Sequence, residues 1–270
     1  MKNNTYKKFS IITICLNDAK GLRQTLESEI VQKYDNYEII VIDGGSNDGS
    51  LNVINEYSSF ITYWCSEADK GIYNAMNKGI AKAMGEYCIF MNAGDRFYSD
   101  TVLLDISRYK EDLICGKVVR SDSKIVHGFN KPQISMLDLF RDSLEHQSTF
   151  INRNLLLKIN YDENYTILAD RKFCIQSLIQ YNCSFRNVDI IVAYYDTTGI
   201  SSTQHEKYKN EKEILFRELL PDRILLDYKK FEFIDDEIIM YLNVLCKTYR
   251  LKRICFFIIK LLCKIKKNYD

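Results

Sequence analysis

At 270 residues the chain is long enough for one large domain with a C-terminal extension, and two full domains are a tight fit. Apolar residues at 46%, aromatics at 13% and only two prolines exclude extensive disorder, so a chain folded nearly throughout is expected. The net charge of +1 conceals an asymmetry, because positions 247–270 carry eight basic residues and one acidic residue, leaving 29 basic against 35 acidic in positions 1–246.

Met1 to Lys8 is polar and lacks the apolar core of a signal peptide. Phe9 to Leu16 is a β-branched apolar run that predicts a buried strand, after which Asn17 or Asp18 caps a helix reaching about Gln32. Tyr37 to Ile42 predicts a second strand, ending at Asp43 and the turn GGSNDGS, with a helix near Ser50 to Tyr57. Phe60 to Cys65 reads as a third strand. The helical spacing of Ile72, Ala75, Met76, Ile80 and Ala83 predicts a helix over Ile72 to Met84, with Gly85 placed to stop it. Tyr87 to Met91 is a fourth strand, ending at NAGD. Further strands are expected at Leu113 to Val119, Ser148 to Ile151 and Ser184 to Tyr195, and helices at Ser135 to Arg141 and Asp170 to Gln180. Beyond Gly199 the pattern is mostly helical. Strand and helix alternate through the first hundred residues, which predicts an α/β fold with a doubly wound, mostly parallel sheet flanked by helices.

In such sheets ligands bind beyond the carboxyl ends of the strands, where Asn17, Asp43 with Asp48, and Asn92 with Asp95 all fall. A single aspartate there is also an ordinary turn or cap residue. Neither GxGxxG after the first strand nor GxxxxGK[ST] occurs, so the usual glycine-loop cradles for phosphate are excluded. Carboxylates and amides with a divalent cation are the remaining way to hold a nucleoside diphosphate.

SIITICLN, EIIVIDGGSNDGS, DKGIYNAMNKG and FMNAGD, followed by HQSTF and LADRKF, resemble the family 2 glycosyltransferases over roughly residues 9–200. The variant motifs are similar to those of bacterial enzymes that build exopolysaccharide or O-antigen. The resemblance implies the GT-A fold, a Rossmann-like sheet, over residues 1–205, with a helical extension at 206–270. It implies a nucleotide-sugar donor, with a uridine diphosphate sugar expected, a saccharide or lipid-linked oligosaccharide acceptor, and inversion at the anomeric carbon. Asp43 would contact the donor base, with the backbone near Thr13 to Leu16 packing beside it and Asn17 also binding the donor. Asp48 and Lys70 would lie near ribose and diphosphate, Asn92 and His146 near the diphosphate, Asp95 would ligate Mn²⁺ or Mg²⁺, and Asp170 would be the catalytic base. The metal motif departs from Asp-x-Asp, reading Asn92, Ala93, Gly94, Asp95, and the usual Glu-Asp pair is Ala169, Asp170.

Two alternatives use the same elements: a sugar-1-phosphate nucleotidyltransferase, and a non-catalytic nucleotide-sugar-binding module. The first needs a glycine-rich basic loop after the first strand, which ICLNDAKG lacks. The nine cysteines show no CxxC pair, so reduced thiols filling the core of a cytosolic protein are expected. In the tail, Arg250, Arg253, Lys260, Lys264 and Lys267 share one helical stripe, and Leu251, Ile254, Ile258, Leu262 and Ile265 another. Its longest apolar run is far short of the ~20 residues that span a bilayer, so a peripheral helix on the anionic inner face of a membrane is expected. Packing on protein is the alternative. No nucleic acid is expected as a partner.

Overall fold

The structure is a computed structural model that describes residues 7–120, 125–127, 131–196 and 204–232, together with 234, 241, 244, 253 and 257. Two compact units divide the chain, Met1–Leu220 and Pro221–Asp270.

The first unit begins with four strands built from the apolar runs: β1 (Lys7–Cys15), β2 (Tyr37–Asp43), β3 (Tyr63–Ser66) and β4 (Gly85–Asn92). They lie in the order β3-β2-β1-β4, all parallel, with β1 central and buried from Phe9 to Cys15. Parallel neighbours require crossovers, supplied by α1 (Ala19–Ile30), α2 (Ser50–Glu56) and α3 (Ile72–Lys82). Asp18 caps α1 by accepting from the Gly21 N–H at 2.8 Å.

Two boundaries differ from expectation. The third strand starts at Tyr63 because residues 57–60 turn after α2, leaving Phe60 exposed, and it runs on to Ser66, opposite Asp43. Gly85 does not stop α3, which ends at Ala83 in an extended conformation. Instead Gly85 opens β4, where a Cβ would lie 2.6 Å from the Phe9 carbonyl carbon, so its small size serves strand approach.

The rest of the sheet is mixed. After the two-residue β5 (Arg96–Phe97) and α4 (Val102–Ile106) come β6 (Leu113–Arg120), β7 (Ile125–His127), α5 (Met136–Arg141), β8 (Thr149–Asn152), α6 (Arg153–Ile159), α7 (Ala169–Ile175) and β9 (Phe185–Tyr195). β8 runs antiparallel between β4 and β6, β9 is parallel to β6, and β5 pairs antiparallel with β9 at the far edge. That edge curls back under α1, where Thr25 Oγ1 donates to the Asp95 carbonyl at 2.7 Å and Phe97 N–H to Ser28 Oγ at 3.1 Å. α7 continues to Gln180 as a π turn. α8 (His205–Leu219) closes the unit. The described cysteines are all free, and most are buried.

The second unit contains α9 (Asp222–Phe231), with Asp222 in its first turn and Lys229 and Lys230 in its last, matching the helix dipole. The basic stripe over 247–270 lies almost wholly outside the described residues. Among the described residues no helix is long and apolar enough to cross a membrane.

Candidate active site

Two clusters form at the carboxyl ends of the strands. Cys15 pairs with Asp43 on one side and Ile14 with Asn92 on the other, so Asp43 and Asn92 flank the end of β1, about 10 Å apart at two strand spacings.

The first cluster is saturated. Asp43 is fully buried, and its Oδ2 accepts from Gly45 N–H, Ser46 N–H and Ser66 Oγ, while Oδ1 accepts from Ser46 Oγ at 2.5 Å. Asn17 occupies the left-handed region at φ 53, which asparagine tolerates. Its amide oxygen takes the Asn47 N–H and its own N–H donates to Ser46 Oγ. Asp48 accepts from Ala19 N–H with one oxygen and from Ser50 N–H and Oγ with the other, so it ties α1 to α2. The Ser50 hydroxyl, then the Ala19 amide, hold its carboxyl below the usual range. Thr13 does not join this cluster. Its hydroxyl donates to Glu29 at 2.6 Å between sheet and α1, so only its backbone could line a donor site.

The second cluster is not saturated. Asn92, Ala93, Gly94 and Asp95 form a tight turn closed by Asp95 N–H to the Asn92 carbonyl, with Gly94 at φ 99, a conformation that side chains disfavour. The turn delivers Asp95, 3% exposed, against the end of β9, where its Oδ1 accepts the Asp196 N–H at 3.0 Å. Burial pushes its carboxyl up to about 7, opposed by the charge of His146 and by hydrogen bonds including one from the Gln147 side chain. Among the described residues, the buried Oδ1 of Asn92 and Oε1 of Gln147 have no hydrogen-bond partner.

A chain of contacts links this turn to α7. Asn92 Nδ2 meets His146 Nε2 at 3.0 Å, and His146 Nδ1 meets Asp170 Oδ2 at 3.3 Å. Because a carboxylate oxygen only accepts, Nδ1 carries the proton shared with Asp170, and the role of Nε2 toward the Asn92 amide follows the protonation of the ring. Burial alone would lower the His146 pKa, but the Asp170 hydrogen bond and the charges of Asp170, Asp95 and Glu145 together raise it. Asp170 Oδ1 accepts from Tyr73 Oη at 3.1 Å and from Arg171 N–H at 2.7 Å. Tyr73, missed by sequence reasoning, shares its single hydroxyl proton between Asp170 and the Ile167 carbonyl, the latter at 2.6 Å the shorter of the two contacts. Its position in GIYN carried no signal beyond a helical register.

Tyr73 also lines a cleft of about 190 Å³ with Lys70, Asn74, Glu163, Tyr165 and Lys207. Lys70 therefore lines the cleft, just before the start of α3. Asn77 is a brace, its amide bridging the Tyr161 backbone and Glu163.

Among the described residues no group of three His, Cys, Asp or Glu side chains could hold a metal. Asp95 and the amide oxygens of Asn92 and Gln147 are oxygen donors of the type that a hard divalent cation takes.

A curled, mixed α/β sheet flanked by helices is the architecture of the GT-A fold. The description "Glycosyl transferase family 2" matches residues 10–172, and the chain belongs to that family. The uncharacterized glycosyltransferase MT1564 of Mycobacterium tuberculosis is 32% identical over 209 residues, 72% of this chain and 76% of its own. The PGL/p-HBAD biosynthesis glycosyltransferase of Mycobacterium bovis is 29% identical over 211 residues, 74% of this chain and 81% of its own. Among solved structures, S. aureus TarS 1-349 superposes with a TM-score of 0.63 at 20% identity over 79% of this chain and 65% of that one. The mannosyltransferase PcManGT from Pyrobaculum calidifontis, in complex with GDP-Man and Mn²⁺, gives 0.61 at 12% identity over 96% and 81%. Of the three activities the motifs allowed, family membership favours glycosyl transfer.

Proposed function

We propose that this enzyme transfers a sugar, with inversion, from a uridine diphosphate sugar to a hydroxyl of a saccharide or lipid-linked acceptor in surface polysaccharide or glycolipid biosynthesis. The observation that carries the reading is the chain Asp95 turn, Asn92, His146, Asp170. It runs from the turn that holds a buried carboxylate, through two side-chain contacts, to an anchored one. Donor chemistry has support from TarS, solved in complex with UDP-GlcNAc, and PcManGT, solved with GDP-Man and Mn²⁺. The glycolipid direction has support from the name of the mycobacterial relative.

Asp95 would hold Mn²⁺ or Mg²⁺ together with Asn92, and the cation would neutralise the departing nucleoside diphosphate. Asp43, closed on its own loop, would shape the pocket for the base, with Asn17 and Asp48 fixing that loop and Lys70 reaching the diphosphate. Asp170 takes the proton of the acceptor hydroxyl as that oxygen attacks the anomeric carbon from the face opposite the leaving group, which inverts the configuration. His146 and Tyr73 hold both oxygens of Asp170 for that transfer. The basic tail over 247–270 would keep the enzyme on the inner face of the cell membrane, each cation near an anionic surface contributing about 1 kcal/mol.

Thermal melting with a panel of UDP- and GDP-sugars, with and without Mn²⁺, tests the reading, because a ligand that binds only the folded state raises the melting temperature. A uridine diphosphate sugar is expected to stabilise most, and only with the cation. Stabilisation by GDP-mannose alone would replace the donor, and no stabilisation by any nucleotide sugar would overturn the proposal.

A further inference from the structure

We infer that Glu211, on α8, is a positioning residue for Asp170, so that the catalytic machinery extends through a helix well beyond the residues the family description matches. The inference rests on the reading of Asp170 as the base, and it adds a residue from a segment the sequence assigned to an extension.

α7 carries Asp170 in its first turn, and a helix start leaves backbone N–H groups without intrahelical partners. Such groups are commonly taken by a side chain just before the helix, yet Leu168 at the cap position has none to offer. Glu211 instead holds, from another helix, the segment that leads into α7. Its Oε1 accepts from Thr166 N–H at 2.9 Å and Thr166 Oγ1 at 2.5 Å, and its Oε2 from Ile167 N–H at 2.9 Å and Leu168 N–H at 3.1 Å. Four donors converge on one carboxylate and fix the three residues that lead directly into Ala169 and Asp170. One of them, Ile167, offers its carbonyl to the same Tyr73 hydroxyl that contacts Asp170. The Glu211 carboxylate also lies at the positive end of α7, where negative charge is favoured.

The grip is not a lone contact. Fully buried Arg171 donates to the Leu139 carbonyl on α5 and to Tyr208 Oη on α8, and its guanidinium lies 5.3 Å from the Phe216 ring. Lys172 pairs with Glu218 and Asp162, and Tyr165 Oη donates to Glu218 at 2.7 Å. Both residues that follow Asp170 are thus tied to α8. The same helix sends Lys207 into the cleft lined by Tyr73 and Thr166. A displacement of about 1 Å in a reacting group can cost ~10²-fold in rate, so a brace on this loop acts on the chemistry rather than on donor affinity.

The test compares Glu211→Ala and Glu211→Gln with the unaltered enzyme, alone and in an Asp170→Asn background. Rates are measured under single-turnover conditions with whichever of UDP-glucose, UDP-galactose, UDP-GlcNAc or GDP-mannose stabilises most. Glu211→Ala is expected to lower kcat at least tenfold with donor KM and Mn²⁺-dependent UDP binding within twofold, and Glu211→Gln, which keeps one acceptor oxygen, to fall less. In the Asp170→Asn background Glu211→Ala is expected to have no further effect, because residues acting as one unit are not additive. If Glu211→Ala does not fold at the assay temperature, Glu211→Gln carries the same comparison. An unchanged kcat, or an equal fold-loss with and without Asp170, would overturn the inference. Unimpaired transfer by Asp170→Asn alone would instead remove Asp170 as base.

Discussion

The two clusters at the strand ends are built from similar residues and behave oppositely. Around Asp43 every carboxylate oxygen is met by a hydroxyl or amide of the same loop, and Asp48 and Asn17 are consumed in the same way. Around Asp95 the groups are buried faster than they are satisfied, with two amide oxygens lacking partners and a carboxyl pushed up to about 7 by desolvation. A saturated cluster stabilises the backbone that will face a ligand. An unsaturated one keeps electrostatic capacity for a ligand it must bind, at a cost to stability of about 1–3 kcal/mol for each orphaned group.

The largest test of this contrast lies in the unsaturated cluster. Asp95→Asn and Asp170→Asn are each expected to lower sugar transfer by at least about 10²-fold. Melting temperature should hold or rise for Asp95→Asn, because a costly buried acid is removed. A large loss of stability in Asp95→Asn would place it with the structural carboxylates and break the contrast.

Asp43→Ala should show the reverse pattern, first in stability. It strands two hydroxyls and two amide groups, so a loss of at least about 2 kcal/mol is expected in urea unfolding. Retained stability with lost donor binding would mean that its carboxylate faces the ligand.

Glu29 offers a pH-dependent case away from both clusters. Burial pushes its carboxyl up from 4.5 to about 8, against the Thr13 hydrogen bond, and its Oε2 has no partner. Between those values the folded state keeps a proton the unfolded chain has lost, so stability falls as pH rises through the window, by at most about 1.4 kcal/mol per unit. Glu29→Gln should flatten that slope and raise the melting temperature at pH 8 relative to the unaltered protein. An unchanged slope would show that Glu29 is ionised in its buried position.

Asn17→Gly is the smallest expected effect. Glycine keeps the left-handed backbone and loses only the bond to the Asn47 N–H, so about 1 kcal/mol and less than a tenfold change in donor affinity are expected by melting and calorimetry.

The parallel half of the sheet was legible because β1, β2 and β4 are buried on both faces and its helices carry a 3.6-residue period, so even the strand ends near Asp43 and Asp95 could be named, while the half-exposed β3 was started three residues early. In the other half β6, β8, β9, α5 and α7 lie within about a residue of where the sequence puts them, whereas the two-residue β5 and three-residue β7 are too short for a periodicity to register, and the antiparallel pairing of β8 and β5 depends on contacts far along the chain. Motifs pointed to Asp95, His146 and Asp170 singly, whereas the Asn92 to His146 contact spans 54 positions and the Thr166 to Glu211 contact 45. Strand alternation aims the Thr13 hydroxyl under α1, which leaves its backbone as the part the sequence reading assigned to the donor site.

Calorimetric titration of UDP into the unaltered enzyme, Asp95→Asn and Asp170→Asn, each with and without Mn²⁺, tests the central claim most directly. The expected result is that Mn²⁺ tightens UDP binding in the unaltered enzyme and in Asp170→Asn, and does nothing in Asp95→Asn. Equal Mn²⁺ enhancement in all three proteins would contradict the assignment of Asp95 to the cation.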